Sequence, residues 1–95
     1  MVSCTGNVGA LLIHDVGDST VNISESVKAR DNHITRNTCD AMAARTAFAP
    51  SPCEQYAGCD AGKPVVWCQT TGKNHDRQDT LASQAFWNFY ASLIP

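Results

Sequence analysis

The spacing of hydrophobic positions changes several times along the chain, and the first pattern predicts a buried strand. Residues 8–13 form an apolar run that only Gly9 interrupts, and the polar sequence His-Asp-Val-Gly-Asp follows at 14–18. An unbroken apolar run of this length is typical of a strand buried on both faces of a parallel sheet. The glycine and aspartates favour a turn, so polar side chains are expected just beyond the strand's carboxyl end.

A helical pattern comes next, at residues 24 to about 37. Ile23, Val27 and Ile34 have the spacing that places side chains on one stripe of a helix. Ser24 is the predicted N-cap, since serine is among the residues preferred there. The sequence therefore predicts an amphipathic helix directly after the acidic loop.

The middle of the chain predicts a surface excursion followed by a β-hairpin. Residues 40–52 are rich in Ala, Ser, Thr and Pro and have no steady period, which favours a surface segment. Two hairpin strands are predicted at 53–56 and 64–70, because the segment 57–63 between them has the glycines and aspartate of a turn. A loop containing a histidine then occupies residues 71–75.

The last pattern predicts a helix that begins at Asp79 or Thr80 and ends before Pro95. The predicted order is thus strand, acidic loop, helix, excursion, hairpin, histidine loop, helix. The broad apolar face of the last helix carries Leu81, Ala85, Phe86, Phe89 and Leu93.

Length and charge narrow the classes of function. The chain has 95 residues, with seven Lys plus Arg against nine Asp plus Glu, so no strong field attracts phosphates or anionic lipid. No nucleic-acid partner is expected, and the longest apolar run is too short for a membrane span. A complete doubly wound α/β domain with a lined pocket needs a chain about twice as long, which favours one part of a larger domain.

The cysteines favour an oxidising compartment. Four of the five cysteines lie within residues 39–68, a density more typical of secreted than of cytosolic proteins. His14, His33 and His75 could join cysteines as zinc ligands, but the chain has neither C-x-x-C nor H-x-x-x-H. Disulfides are therefore predicted rather than a metal site.

Hairpin geometry predicts which cysteines pair. If the hairpin turns at its centre, Cys53 and Cys68 lie opposite each other, and Cys39 at the helix end comes close to Cys59 in the turn. The predicted bridges are Cys53 to Cys68 and Cys39 to Cys59. A small loop closed by Cys53 and Cys59 is the alternative, and Cys4 is left for a bond to an upstream part.

The order of elements also carries a resemblance. A strand ending in an Asp-bearing loop, then a strand ending in a His-bearing loop and a last helix, is the order at the end of an α/β-hydrolase, whose triad runs Ser, acid, His. From Val8 to Leu93 the chain resembles the C-terminal part of feruloyl esterases of carbohydrate esterase family one, which are related to polyhydroxybutyrate-depolymerase-like esterases. The blocks that match, in order, are residues 12–18, 29–31, 37–39, 53–59, 64–68 and 85–89.

The resemblance implies an α/β-hydrolase segment with an incomplete sheet and no metal or organic cofactor. It makes Asp18 the triad acid and His75 the general base and acid. The sequence departs from the family at Asp15, where glycine is usual, and at residues 72–74, where the approach to the histidine is less rich in glycine.

The chain lacks the G-x-S-x-G elbow that exposes a nucleophilic serine, and Ser19 has neither the second glycine nor the strand-to-helix turn. An upstream part of the same hydrolase is therefore the expected partner, and the isolated chain is expected to be inactive. The implied substrate is a hydroxycinnamate ester of xylan in the plant cell wall, outside the cell. Acetyl-xylan and polyester esterases are the alternatives within the class.

A different class remains open, in which the chain is a secreted, disulfide-stapled binding module and the triad residues are bystanders. His14 and His33 are expected to be structural, through packing and hydrogen bonding. Asn22 begins an N-glycosylation sequon. Four aromatic residues could stack on a ferulate or sugar ring, but core packing is the prediction for all of them: Trp67, Phe86, Trp87 and Phe89.

Overall fold

A computed structural model describes residues 7–94, which form a four-stranded sheet with two helices. Neither 14-residue helix of this described part is long and apolar enough to cross a membrane. The elements in chain order are β1 (Ala10–Asp15), α1 (Ile23–Arg36), β2 (Thr46–Ala47), β3 (Glu54–Gln55), β4 (Val65–Thr70) and α2 (Asp79–Ser92).

The sheet is mixed, with strand order β1-β4-β3-β2. β1 and β4 are parallel, from Ala10 beside Val65 to Asp15 beside Thr70. β3 is antiparallel to both of its neighbours, β4 and β2. The mixed α/β class and the predicted hairpin are confirmed, whereas the sheet is only partly parallel. Because β1 and β4 run side by side in one direction, their two following loops leave the same edge of the sheet.

β4 is the centre of the core, since its side chains alternate between two hydrophobic clusters. Val66 and Cys68 face α2, where they pack with Ala85 and Phe89. On the opposite face, the α1 side, a second cluster contains Ile34, Tyr56, Val65 and Trp67. The predicted helical stripe is present, because Ile23 and Val27 pack against this second cluster.

The beginning of α1 differs from the prediction. Asn22, not Ser24, is the N-cap, and its side-chain oxygen accepts a hydrogen bond from Ser24 N at 2.9 Å. Asn22 has the extended backbone of a cap residue, whereas Ser24 already lies in the helix. The predicted N-cap is wrong by two residues, and the structure gives the asparagine of the sequon a role in capping α1.

The prediction that all four aromatic residues pack in the core is wrong for Phe86 and Trp87, whose exposures are 66% and 65%. Trp67 and Phe89 are buried as predicted. The side of α2 that carries Ala85 and Phe89 faces the sheet, which leaves the intervening aromatics outside. Leu93, also predicted on the apolar face, is 40% exposed.

The predicted surface excursion contains one unpredicted strand. Most of residues 40–52 are exposed, as expected, but β2 lies within this segment and pairs with β3. Phe48 follows β2 and packs against the cluster on the α2 side. Two residues of pairing are too few to leave a periodic signal in the sequence.

The two disulfides in the described part of the chain are Cys39–Cys59 and Cys53–Cys68. These are the pairs that hairpin geometry predicts, and the alternative Cys53–Cys59 bridge is wrong. The register of β3 and β4, with Glu54 opposite Trp67, continues to Cys53 opposite Cys68. Cys4 lies outside the described residues.

Candidate active site

Asp18 and His75 meet beyond the carboxyl ends of β1 and β4. β1 continues through His14 and Asp15, so Asp18 lies in the turn after it, and His75 lies in the loop after β4. His75 Nδ1 is 2.9 Å from Asp18 Oδ2. The Asp18 side chain is 6% exposed and that of His75 is 56% exposed, so the carboxylate lies beneath a ring that reaches solvent.

The Asp18 carboxylate is held at both oxygens. Oδ1 accepts hydrogen bonds from the backbone N–H groups of Thr20 and Val21, each at 2.9 Å. Oδ2 faces His75 and also lies 3.3 Å from His14 Nε2. The hydrogen bond from His75 lowers the pKa of Asp18 to about 2, aided by the backbone donors and opposed by burial. Asp18 is therefore charged at neutral pH.

Asp15 joins the two loops that carry the site. Its buried carboxylate accepts four hydrogen bonds, of which those from the Lys73 and Asn74 N–H groups, at 3.0 and 3.1 Å, reach the histidine loop. The others come from Gly17 N and Thr70 Oγ1. Burial alone would raise the pKa of Asp15, but these hydrogen bonds together hold it below its ordinary value. Asp15 thus connects the acid loop to the histidine loop through its two carboxylate oxygens.

The histidine loop is also held from the acid loop. Asn74 Oδ1 accepts hydrogen bonds from Ser19 N at 3.0 Å and Ser19 Oγ at 3.1 Å. Asn74 and Gln78, on either side of His75, both have left-handed backbones, with φ of 53° and 54°. Such conformations cost energy in residues other than glycine and cluster at functional sites. Ser19 is bonded to Asn74 and not to an imidazole.

His14 is buried beside the acid and makes two close contacts. Its Nε2 lies 2.8 Å from the Val21 carbonyl oxygen, and its Nδ1 lies 2.5 Å from Ser26 Oγ. The predicted hydrogen-bonding role of His14 is present, but sequence reasoning missed Ser26. Helical spacing could have indicated it, since Ser26 is three residues after Ile23 and lies on the same side of α1.

The other candidate residues lie apart from this pair. Asn22 is exposed at the beginning of α1, and His33 is half-buried near its end. Across residues 7–94, no three His, Cys, Asp or Glu side chains converge as ligands of a metal ion.

Two open cavities adjoin the site. The one at His75 has a volume of about 270 Å³, and the other, of about 760 Å³, extends towards Ser51 and Pro52. Asp76 and Gln78 line both. Gln78 Oε1 is buried without a hydrogen-bond partner in the described structure. The surroundings of His75 therefore offer space and polar groups beside the ring.

Fold and site together define a class: a mixed α/β protein stapled by disulfides, with an Asp–His pair at the carboxyl ends of adjacent parallel strands. No family model matches the chain, and no curated protein matches it. The site geometry and the sequence resemblance are therefore the grounds for assigning a reaction.

Proposed function

We propose that the chain is the C-terminal segment of an α/β-hydrolase of the feruloyl-esterase type, in which Asp18 and His75 serve a serine outside this sequence. The observation that carries the proposal is the 2.9 Å contact between Asp18 Oδ2 and His75 Nδ1. It joins the two loops that the resemblance makes catalytic, at the sheet edge where α/β proteins have their chemistry.

In this proposal the charged Asp18 accepts a hydrogen bond from the Nδ1–H group of His75, which keeps the proton on Nδ1 and leaves a lone pair on Nε2. That nitrogen removes the proton from the serine hydroxyl as it attacks the ester carbonyl, and the carboxylate stabilises the resulting imidazolium. The imidazolium then gives its proton to the departing alcohol. Water then attacks the acyl-enzyme with the same histidine as base, and the carboxylic acid is released.

Within the described residues, no serine hydroxyl is hydrogen-bonded to His75. Ser19 is bonded to Asn74, and Ser26 is bonded to His14. β1 also has only one neighbour, β4, in the described sheet, although its apolar sequence is of the kind buried between two strands. Both observations support an additional segment that pairs with β1 and supplies the serine.

The proposed substrate class is the ester of a hydroxycinnamate with xylan, and the proposed location is outside the cell. The disulfides Cys39–Cys59 and Cys53–Cys68 support an oxidising compartment. Acetyl-xylan and polyester esterases would use the same Asp–His pair, and the substrate assignment rests on the sequence blocks alone.

The test is to extend the chain with the reading frame upstream of Met1 and assay methyl ferulate. The extension should contain G-x-S-x-G, and the longer protein should hydrolyse the ester. His75→Ala should lower kcat roughly 10⁶-fold, whereas His33→Ala should leave it unchanged. An extension without the motif, or activity that survives His75→Ala, would refute the proposal. The 95-residue chain alone should show no turnover above its own His75→Ala variant.

The exposed aromatic face of α2 favours a second candidate, the non-catalytic binding module. Trp87 and Tyr90 lie with ring centroids 6.3 Å apart on the outside of the helix, and exposed aromatic rings stack well on sugar rings. If the chain is such a module, it should be retained on insoluble xylan. Trp87→Ala should abolish retention and His75→Ala should not.

A further inference from the structure

Asp18 has a second imidazole beside it, and the proposed mechanism does not use that ring. We infer that His14 is a positioning residue that fixes the Asp18 carboxylate in the orientation that receives the His75 ring. The inference rests on the proposed role of the Asp18–His75 pair. It gives His14 a role beyond filling space in the core.

The contacts of His14 determine where its proton lies. The Val21 carbonyl oxygen, 2.8 Å from Nε2, can only accept a hydrogen bond, so Nε2 carries a proton. In the neutral ring Nδ1 is then an acceptor, and the Ser26 hydroxyl at 2.5 Å donates to it. With the ring 9% exposed, these partners satisfy both nitrogens and prevent the imidazole from flipping.

This fixed ring acts on Asp18 by two routes. The N–H edge of the His14 ring lies beside Asp18 Oδ2, with 3.3 Å between Nε2 and Oδ2, while the Nε2 proton itself is donated to the Val21 carbonyl oxygen. The same Nε2 holds the carbonyl of Val21, and the N–H of Val21 donates to Asp18 Oδ1. Rotation of the carboxylate would therefore break contacts at both oxygens, which leaves Oδ2 directed at His75.

The other charged groups near the ring do not replace these contacts. Asp15 lies next to His14 in β1, but its carboxylate oxygens already accept four hydrogen bonds. The donors belong to the acid loop, to β4 and to the histidine loop. Asp76 lines the same cavity as His14 from the side of the histidine loop. From α1, Ser26 is the neutral partner of the ring. Asp18 is thus the carboxylate that His14 contacts.

Nitrogen-15 NMR of the histidine rings tests the inference, because it reports which ring nitrogen carries a proton. In the unmodified chain at neutral pH, His14 should have its proton on Nε2, and His75 should show an Nδ1–H resonance from its bond to Asp18. His14→Gln keeps an N–H donor near the position of Nε2 and should preserve that His75 resonance. His14→Leu fills the space without a donor and should abolish it.

The control is His33→Leu, which removes a histidine from α1 away from the site and should leave the His75 resonance unchanged. An unchanged His75 resonance in folded His14→Leu would overturn the inference, as would a proton on Nδ1 instead of Nε2 of His14 in the unmodified chain. The second result needs no variant, so poor folding of His14→Leu does not prevent the test. Absence of the His75 Nδ1–H resonance from the unmodified chain would instead refute the proposed Asp–His pair.

Discussion

At each end of the β1–β4 pair, one buried polar side chain holds neighbouring segments together. The side chain is an amide that donates hydrogen bonds at the amino end and a carboxylate that accepts them at the carboxyl end. At the amino end, the buried Asn37 donates from Nδ2 to the carbonyl oxygens of Val8 at 2.7 Å and Lys63 at 3.1 Å. The Cys39–Cys59 disulfide lies beside it. At the carboxyl end, Asp15 accepts four hydrogen bonds, and neither disulfide of the described residues joins the two loops there.

The two ends should therefore respond differently to pH. An amide does not titrate, and a disulfide responds to reductant, so the amino end should be insensitive to pH. The carboxyl end depends on ionised Asp15 and Asp18, whose pKa values both lie below the ordinary range. Low pH should therefore loosen the end that carries the Asp18–His75 pair, while the disulfides hold other parts of the fold.

Reduction of the disulfides should have the largest effect. The bonded cysteines are 20 and 15 residues apart in sequence, and closing loops of this size contributes about 3 kcal/mol each. Small domains have a total stability of about 5 to 15 kcal/mol. Reduced and alkylated protein should therefore be largely unfolded by circular dichroism at 37 °C, with alkylation in the absence of reductant as the control. An unchanged melting temperature after reduction would contradict this account of the two disulfides.

Patterns within one element, or between elements close in sequence, could be read from the sequence. The apolar run of β1, the stripe on α1 and the turn of the hairpin are local, and the hairpin register then fixes the Cys53–Cys68 pair. The positions of Asp18 and His75 beyond two strands follow from the order of elements.

Contacts across long separations could not be read in this way. The bond from Asp15 to Asn74 joins residues 59 apart, and a single aspartate in a loop gives no sign of it. The exposure of Trp87 was not predicted. An apolar residue on a helix suggests burial, but the sequence does not show which side of the helix faces the sheet. The two-residue strand β2 depends on pairing with β3 and not on its own sequence.

Asn37→Ala should have the next largest effect and should be independent of pH. The substitution removes the donor that the carbonyl groups of Val8 and Lys63 share, and the loss of two hydrogen bonds costs about 2 kcal/mol. Urea denaturation at pH 7 and pH 4 should give the same loss at both values. A loss that depends strongly on pH would mean that the amino end is coupled to the carboxylates.

Asp15→Asn should lower stability at neutral pH and should weaken the acid dependence. A folded-state pKa below the ordinary 3.8 means that the unfolded chain binds protons more readily. The stabilisation is therefore present above about pH 4 and is lost as the pH falls further. For Asp18 the loss continues to about pH 2. Thermal melts from pH 6 to pH 2 should show the difference between Asp15→Asn and the unmodified chain shrinking in acid.

Asn37→Ala is the matched control for that series, because it replaces the corresponding polar side chain at the amino end. Its melting temperature should stay a constant interval below that of the unmodified chain across the same range. A gap between Asp15→Asn and the unmodified chain that stays constant down to pH 2 would show that the Asp15 contacts do not depend on its charge.

Asn22→Ala should have the smallest effect, about 1 kcal/mol, through loss of the N-cap. Asn22 Oδ1 accepts from Ser24 N, and this leaves Nδ2, the atom that would carry an N-linked glycan, outside the cap. Asn22→Asp is the informative partner, since it keeps the capping oxygen and removes the sequon. Produced in bacteria, the Asp variant should melt close to the unmodified chain and the Ala variant below it. Equal stability of all three bacterial proteins would show that α1 does not depend on this cap. When the proteins are produced in a eukaryotic secretory host, both variants should lack a glycan mass that the unmodified chain carries.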